Sequence, residues 1–347
     1  MSACRPAQPS PAPRPRRART YAGTARNLGT LARVLRRGGL VAAPTETVYG
    51  LAANALDPAA CEKIFVAKAR PQTDPLIVHI DALADLARLA HVNAPALLLA
   101  QKFWPGPLTL VLPKTDLVPA IVSAGLPSVA VRQPSHPLFR RLIRLAGVPL
   151  AAPSANPFGY VSPTTAAHVQ AGLGDKISHI LDGGPCAVGL ESTIVDLRDP
   201  ARPRLLRPGA ISRAQLEETL GQPVLAPRRR RQPAAAAQIA PGLLTRHYSP
   251  HTPVQLHPCF TPAAIARSGP THAWVFLAKP TIRSRTAATN LFWLDSRGDL
   301  GRVAHRLFAV LRQLDHAGFA RIHVELAPGH AGLADAINDR LRRAAAR

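Results

Sequence analysis

Four separated segments carry residue types suited to gripping charged substrates. The first is Pro44-Thr45-Glu46-Thr47-Val48-Tyr49-Gly50-Leu51, directly after the apolar run Leu40 to Ala43. Hydroxyls and a carboxylate at a strand's carboxyl end stand where open α/β sheets bind ligands, although the string also suits a capped strand-to-turn connection. The second is Lys68-Ala69-Arg70-Pro71, two cations one residue apart at the end of a helix. A helix C-terminus favours cations in any case, so this is either ordinary charge complementarity or a clamp on phosphate oxygens. His79, on the strand that follows, could reach the same place; a lone strand histidine is more often a packing residue. The third is Ala151-Ala152-Pro153-Ser154-Ala155-Asn156, followed by Ser162-Pro163-Thr164. Small residues let backbone N–H groups approach an anion and hydroxyls add donors, while a Ser/Pro turn is equally consistent. The fourth is Gly189-Leu190-Glu191-Ser192-Thr193-Ile194-Val195-Asp196, with Leu206-Arg207-Pro208-Gly209 after it. Together they supply a lysine, two arginines, hydroxyls and an asparagine, but no nucleophile–His–Asp set, paired carboxylates or metal cluster. Neither a Walker A loop nor a dinucleotide fingerprint is present. This inventory suits chemistry done by positioning charged substrates.

The elements that must hold these segments alternate between helix and strand. Leu31, Val34 and Leu35 share a helical face that Gly38-Gly39 ends. Asp57-Pro58 is an N-cap followed by proline at the first helical position, opening a helix to about Ala67. Strands are expected at 40–43, 76–80, 108–112, 129–131, 148–152, 178–182 and 192–197. Asp81 is expected to start a helix, and helices are expected near 136–146 and 164–173. Ser212 with Gln215 forms a capping box for a further helix. A second, smaller pattern has strands at 273–278 and 321–326 and helices at 301–316 and 333–345. The alternation means an α/β protein.

The chain of 347 residues is long enough for two domains. Lys+Arg number 43 and Asp+Glu 20, for a formal net charge of +23. Residues 1–27 hold six arginines and no acid, and residues 222–250 hold five arginines and no acid. Both are rich in proline and arginine, and the first is also poor in apolar residues, so residues 1–27 are expected to be a disordered basic tail and 222–250 a linker. The expected domains are 28–221 and 251–347. The basic balance suits nucleic acid, or a solvated, arginine-biased surface. Cys4, Cys61, Cys186 and Cys259 lie far apart, which excludes a disulfide scaffold and fits a reducing compartment. No run approaches a membrane span, and the first thirty residues lack the apolar stretch of a secretory signal.

The ordered strings PTETVYGL, K-x-R-P, PLIVHI, WPGPLTLVLP, SVAVR, APSAN, SPT, GLESTIVDL and LRPG, across about residues 28–221, resemble the YrdC/YciO family. APGLLTRHYSP in the linker and GLADAINDRLRRAA near the C-terminus resemble its longer, two-domain form. The resemblance implies a twisted mixed α/β sheet with a central basic cavity, plus a smaller C-terminal, Rossmann-like α/β domain. It implies a nucleotidyltransferase that makes L-threonylcarbamoyladenylate and pyrophosphate from L-threonine, bicarbonate (or CO2) and ATP, with Mg²⁺ accompanying ATP. The product serves threonylcarbamoyl-adenosine modification of tRNA, so the implied partners include the downstream threonylcarbamoyl-transferase machinery and tRNA or double-stranded RNA. The implied location is the cytoplasm, with no membrane contact and no protein-held metal.

By the same resemblance, Thr47, His79, Arg132, Ala152 and Ser192 hold threonine. Lys68, Arg70, Asp74, Ser128, Ser154, Asn156, Ser162, Arg207 and Tyr248 hold ATP. At position 74 family members usually have asparagine. Residues 240–250 are expected to form a lid over ATP, and Arg228 to Arg231 match no motif. Two alternatives are a non-catalytic RNA-binding relative and a carbamoyl-transfer domain of hydrogenase-maturation type. The intact K-x-R, S-x-N and HYSP strings disfavour the first, and the lack of acylphosphatase or zinc-finger patterns disfavours the second.

Overall fold

The structure, a computed structural model, describes residues 17–227, 236–280, 290–329 and 331–346. The N-terminal part is built on strands β1 (Arg19–Ala22), β2 (Val41–Ala43), β3 (Gly50–Asn54), β4 (Ile77–His79), β5 (Leu108–Pro113), β6 (Ser128–Arg132), β7 (Leu150–Ala151), β8 (His179–Asp182), β9 (Thr193–Asp196) and β10 (Arg204–Arg207). They form one mixed sheet in the order β1-β8-β2-β3-β7-β4-β6-β5-β9-β10. Helices α1 (Ala25–Arg36), α2 (Pro58–Lys68), α3 (Leu86–Leu89), α4 (Ala94–Phe103), α5 (Pro137–Ala146), α6 (Ala166–Leu173) and α7 (Arg213–Leu220) accompany it.

Apolar clusters lie on both sides of this sheet. Val41 and Ala43 join Leu28, Leu31 and Leu35 of α1 and Phe139 and Leu142 of α5, while Ala42 joins the cluster of Ile64, Leu99 and Val169. That alternation is the period of two of a strand buried on both faces, which is why β2 reads as an unbroken apolar run. Asp57 caps α2 by accepting from the Ala59 and Ala60 N–H groups, and Ser212 and Gln215 make the capping box of α7.

The C-terminal part has a four-stranded parallel sheet, β11 (Val254–His257), β12 (His272–Ala278), β13 (Leu291–Asp295) and β14 (Arg321–Glu325), in the order β11-β14-β12-β13. Helices α8 (Pro262–Ser268), α9 (Leu300–His316) and α10 (Leu333–Ala345) accompany it, α9 against β13 and α10 against β11. The apolar face of α9, with Val303, Leu307, Leu311 and Leu314, shares a cluster with Val48, Val161 and Leu190 of the first part. Contact is close at Gly189: a Cβ there would stand 2.5 Å from the His305 Cα, and its φ of +80° already favours glycine.

The expected tail through residue 27 needs correction over its second half. Arg19–Ala22 pair in parallel with His179–Asp182, Ala18 is buried, and Thr24 caps α1. A strand recruited by a segment about 160 residues away leaves no mark on local composition. Residues 1–16 and Arg228 to Arg231 lie outside the described residues. Asp81 does not open a helix: a short 3₁₀ turn, Leu83–Asp85, leads into α3, and the Asp81 carboxylate takes Arg144 at 2.8 Å instead. Strands β3, β10, β11 and β13 and helices α4 and α8 are additions to the expected elements. Among the described residues, no helix is long and apolar enough to cross a membrane.

Candidate active site

Strands β4 and β6 are neighbours, and their register sets His79 opposite Arg132. In the loop after β2, the Thr45 hydroxyl donates to the Val48 carbonyl at 2.7 Å and accepts from the Thr47 and Val48 N–H groups. This turn presents the Thr47 hydroxyl to Arg132, whose Nη1 donates to it at 2.9 Å. Arg132 Nε donates to the Gly106 carbonyl, and Nη2 stands 2.7 Å from the Glu46 carboxylate. His79 is fully enclosed. Burial, followed by the Arg132 charge, pushes its pKa down to about 3, so it is neutral near pH 7.

Helix α2 ends at Ala69, which adopts the left-handed conformation with φ +50°, and the Arg70 N–H returns to the Phe65 carbonyl. This sharp exit sends Lys68 and Arg70 to different partners. Lys68 Nζ donates to the Ser154 and Asn156 carbonyls, both at 2.5 Å. Burial and the neighbouring Arg70 charge hold its pKa well below the usual ammonium range. Arg70 donates to the Asp74 and Pro75 carbonyls and pairs with the Asp74 carboxylate at 3.0 Å. Of the two readings of this cation pair, a solvated charge at a helix end does not describe Arg70, because its side chain is 3% exposed and that of Asp74 1%.

On the other flank, Arg207 Nε donates to the Ser192 carbonyl and Nη2 to the Ser192 hydroxyl, both at 3.1 Å. Ser192 Oγ also shares a 2.7 Å hydrogen bond with Thr109 Oγ1. Gly209 permits this fit, since a Cβ there would meet the Thr193 nitrogen at 2.4 Å. The Ser162 hydroxyl donates to one Glu191 oxygen at 2.5 Å, and Arg340 of α10 donates to the other at 2.8 Å.

The linker crosses this ground. The Gln238 N–H donates to the Thr73 carbonyl and the Ser249 N–H to the Gly159 carbonyl. Between them lie His247 and Tyr248, both buried. Tyr248 has φ +59°, rare for a bulky residue, and its ring stacks on Phe308 at 5.6 Å between centroids. Gly242 passes beneath: a Cβ there would lie 2.6 Å from the Tyr248 hydroxyl and 2.9 Å from Arg207 Nη1.

A cavity of about 500 Å³, its mouth included, results. It is lined by Thr47, His79, Arg132, Ala152 and Ser192 and by Arg70, Ser154, Arg207 and Tyr248. Nine of the fourteen expected binding residues therefore share one lining. The other five stand off it. Lys68 holds the Ser154 loop, Asp74 holds Arg70, and Ser162 holds Glu191. The Asn156 amide nitrogen donates to Pro157 and Tyr160 carbonyls, and Ser128 is buried at the start of β6. In the lining, His79 Nδ1, His247 Nδ1 and Tyr248 OH are buried polar atoms without a hydrogen-bond partner. Such atoms are costly unless a bound polar group satisfies them. Among the described residues, no three His, Cys, Asp or Glu side chains come together as a metal site.

Glu46, whose carboxylate was noted only as a type, and Glu191, His247 and Arg340 were not among the fourteen expected binding residues. The first three sit inside strings singled out above; for Glu46 and Glu191 an acid among basic ligands was the available signal, and for His247 its place in the HYSP string. Arg340 reaches Glu191 across 149 residues, and its string GLADAINDRLRRAA marked the two-domain form without pointing to this contact.

A family model named Sua5/YciO/YrdC and described as "Telomere recombination" matches residues 33–209. One described as "Threonylcarbamoyl-AMP synthase, C-terminal domain" matches residues 211–346. A Pyrococcus abyssi protein named threonylcarbamoyl-AMP synthase is 40% identical over 328 residues, covering 89% of this chain and 91% of that protein. A Bacillus subtilis protein of the same name is 45% identical over 234 residues, covering 65% of each. A crystal structure of P. abyssi Sua5 complexed with L-threonine superposes with a TM-score of 0.84 at 37% identity, over 94% of this chain and 96% of that one.

Proposed function

The chain belongs to the Sua5/YciO/YrdC family in its two-domain form, and we propose that it works as a threonylcarbamoyl-AMP synthase, a nucleotidyltransferase, through the cavity just described. Its substrates are L-threonine, bicarbonate or CO2, and ATP. The threonine amine attacks CO2 and loses a proton, forming a carbamate. A carbamate oxygen then attacks the α-phosphorus, the bond to the β-bridging oxygen breaks, and pyrophosphate leaves.

The residues fit that division of labour. Arg132, fixed by Thr47, Glu46 and Gly106, presents a planar fork to the amino-acid carboxylate. Neutral His79 beside it adds hydrogen-bonding capacity without a second charge. Arg70 and Arg207 face the triphosphate, where buried cations act far more strongly than in water. Lys68 shapes the Ser154–Asn156 loop whose backbone the phosphates approach, and Asp74 orients Arg70. Tyr248 covers the nucleotide and excludes water. Mg²⁺ bound to ATP would supply neutralisation of phosphate charge. The carboxylates nearest the phosphate-facing arginines, Asp74 and Glu191, are engaged by Arg70 and Arg340, so they do not form a ready cradle for it. The basic composition and separated cysteines support tRNA contact, a downstream transferase partner and a cytoplasmic setting.

One observation carries the reading: nine residues from eight separate stretches of sequence line a single cavity that holds a guanidinium fork suited to a carboxylate, two further arginines and an aromatic cover. The test is pyrophosphate release with threonine, bicarbonate and ATP, omitting each in turn. Release is expected only with all three. Release without threonine would show an ordinary ATP pyrophosphatase.

A further inference from the structure

Arg340 links the C-terminal part to the wall of the site. It lies on α10, and its side chain is 0% exposed. Nε donates to the Glu191 carboxylate at 2.8 Å, and Nη2 donates to the Glu191 carbonyl at 3.3 Å. Nη1 donates to Asp339 at 2.8 Å, which compensates the buried charge within its own helix. The guanidinium carbon stands 5.3 Å from the centre of the Tyr248 ring. Both residues it grips, Glu191 and Tyr248, line the cavity, yet Arg340 does not. Glu191 precedes Ser192, whose hydroxyl receives Arg207. One turn further along α10, Arg343 Nη1 donates to the Leu244 carbonyl, while its own carbonyl accepts from the His247 N–H and the Ser249 hydroxyl. The last turn of α10 thus holds the linker on both sides of Tyr248.

We propose that Arg340 is a positioning residue for the nucleotide: it fixes the Glu191 carboxylate and the Tyr248 ring together, so that docking of the C-terminal part sets the ATP half of the cavity. This rests on the synthase reading. A planar fork satisfies both demands, since one edge can meet a carboxylate while the face lies near a ring. Lysine would keep the charge but lose the fork. Without Arg340 the Tyr248 ring keeps its packing on Phe308 and His247 but loses its charged contact, and its hydroxyl has no hydrogen bond to hold it in place. Arg312 provides the contrast. It also spans the two parts, donating to the Val161, Ser162 and His168 carbonyls, but contacts neither Glu191 nor Tyr248.

The experiment uses the full chain and compares R340K, R340M and R312M by thermal denaturation, threonine binding, direct ATP binding and steady-state kinetics. R340K is expected to fold, to bind threonine within about twofold of the parent, and to raise Kd and KM for ATP at least about tenfold. R312M is expected to lower the melting temperature without that selective ATP defect. In a double-mutant cycle, Y248A should add little to the ATP defect of R340K, because both remove one cover. An unchanged ATP affinity in R340K would overturn the proposal. So would an equal ATP defect in R312M, or additive effects of R340K and Y248A. Failure of the parent protein to release pyrophosphate would instead refute the synthase reading, and the ATP-binding ratio would still judge Arg340.

Discussion

Arg70 and Asp74 form an ion pair of 3.0 Å with almost no exposure to water, at the position where the resemblance led to an asparagine. The pair sits where the turn after α2 meets the cavity, and Arg70 also bonds the Asp74 and Pro75 carbonyls. The aspartate is therefore a local counter-charge for a buried cation.

Removing Arg70 alone strands a buried carboxylate. R70A is expected to cost about 3–5 kcal/mol of stability, far more than a surface cation would. R70A/D74N should regain most of that stability while remaining inactive, and D74N alone should stay active. Urea denaturation and pyrophosphate release read the two effects separately. An R70A protein as stable as its parent would sink the counter-charge role.

Glu46 and Arg132 predict an acid limit. Burial pushes the Glu46 carboxyl up, but the Arg132 charge and hydrogen bonds outweigh it and bring the pKa below its ordinary 4.5. A depressed carboxylate stabilises the fold above the unfolded value, and that contribution is lost as pH falls through the folded value. The melting temperature should therefore drop below about pH 4.5, more steeply in the parent than in E46Q. At pH 7, E46Q should be less stable by about 1–3 kcal/mol. Parallel pH profiles for the two would contradict this.

Gly242 should not tolerate a methyl group. Its φ is +76°, and a Cβ would press on the Tyr248 hydroxyl and Arg207 Nη1. G242A is expected to raise KM for ATP roughly tenfold or more, with a smaller effect on threonine binding. Calorimetric titration with each ligand distinguishes this from a general loss of folding, which would weaken both equally.

The C-terminal sheet should be acid-sensitive through His323. Its two ring nitrogens contact His257 at 2.9 Å and His272 at 3.0 Å, and its ring stacks on Trp274 at 4.0 Å. Burial, then the neighbouring histidines and Arg321, pushes its pKa from 6.5 down to about 4. The unfolded chain binds a proton that the fold refuses, so this stabilisation is complete above pH 6.5 and declines as pH falls toward 4. H323Q should flatten the fall in melting temperature across that window. A parent protein with constant melting temperature from pH 6.5 to 4 would remove histidine titration from the account.

Much of the architecture is local and was legible. The Asp57-Pro58 start of α2, the Ser212–Gln215 box and the period-two burial around β2 depend on neighbours in sequence, and the structure shows each of them. The polar strings were legible as types, because few residues other than Arg, Lys, Ser and Thr bind anions. Their partners were not. Whether Lys68 meets substrate or the carbonyls of Ser154 and Asn156 depends on the left-handed exit at Ala69 and on a loop 86 residues away. Whether residues 19–22 form a strand depended on β8, and whether Arg340 belongs to the site depended on how α10 docks against Glu191. Residue type fixes what chemistry is possible, since it follows from the side chain alone. Which buried charge is compensated, and by what, follows from long-range packing, where desolvation makes every uncompensated charge costly and only the assembled fold supplies the partner.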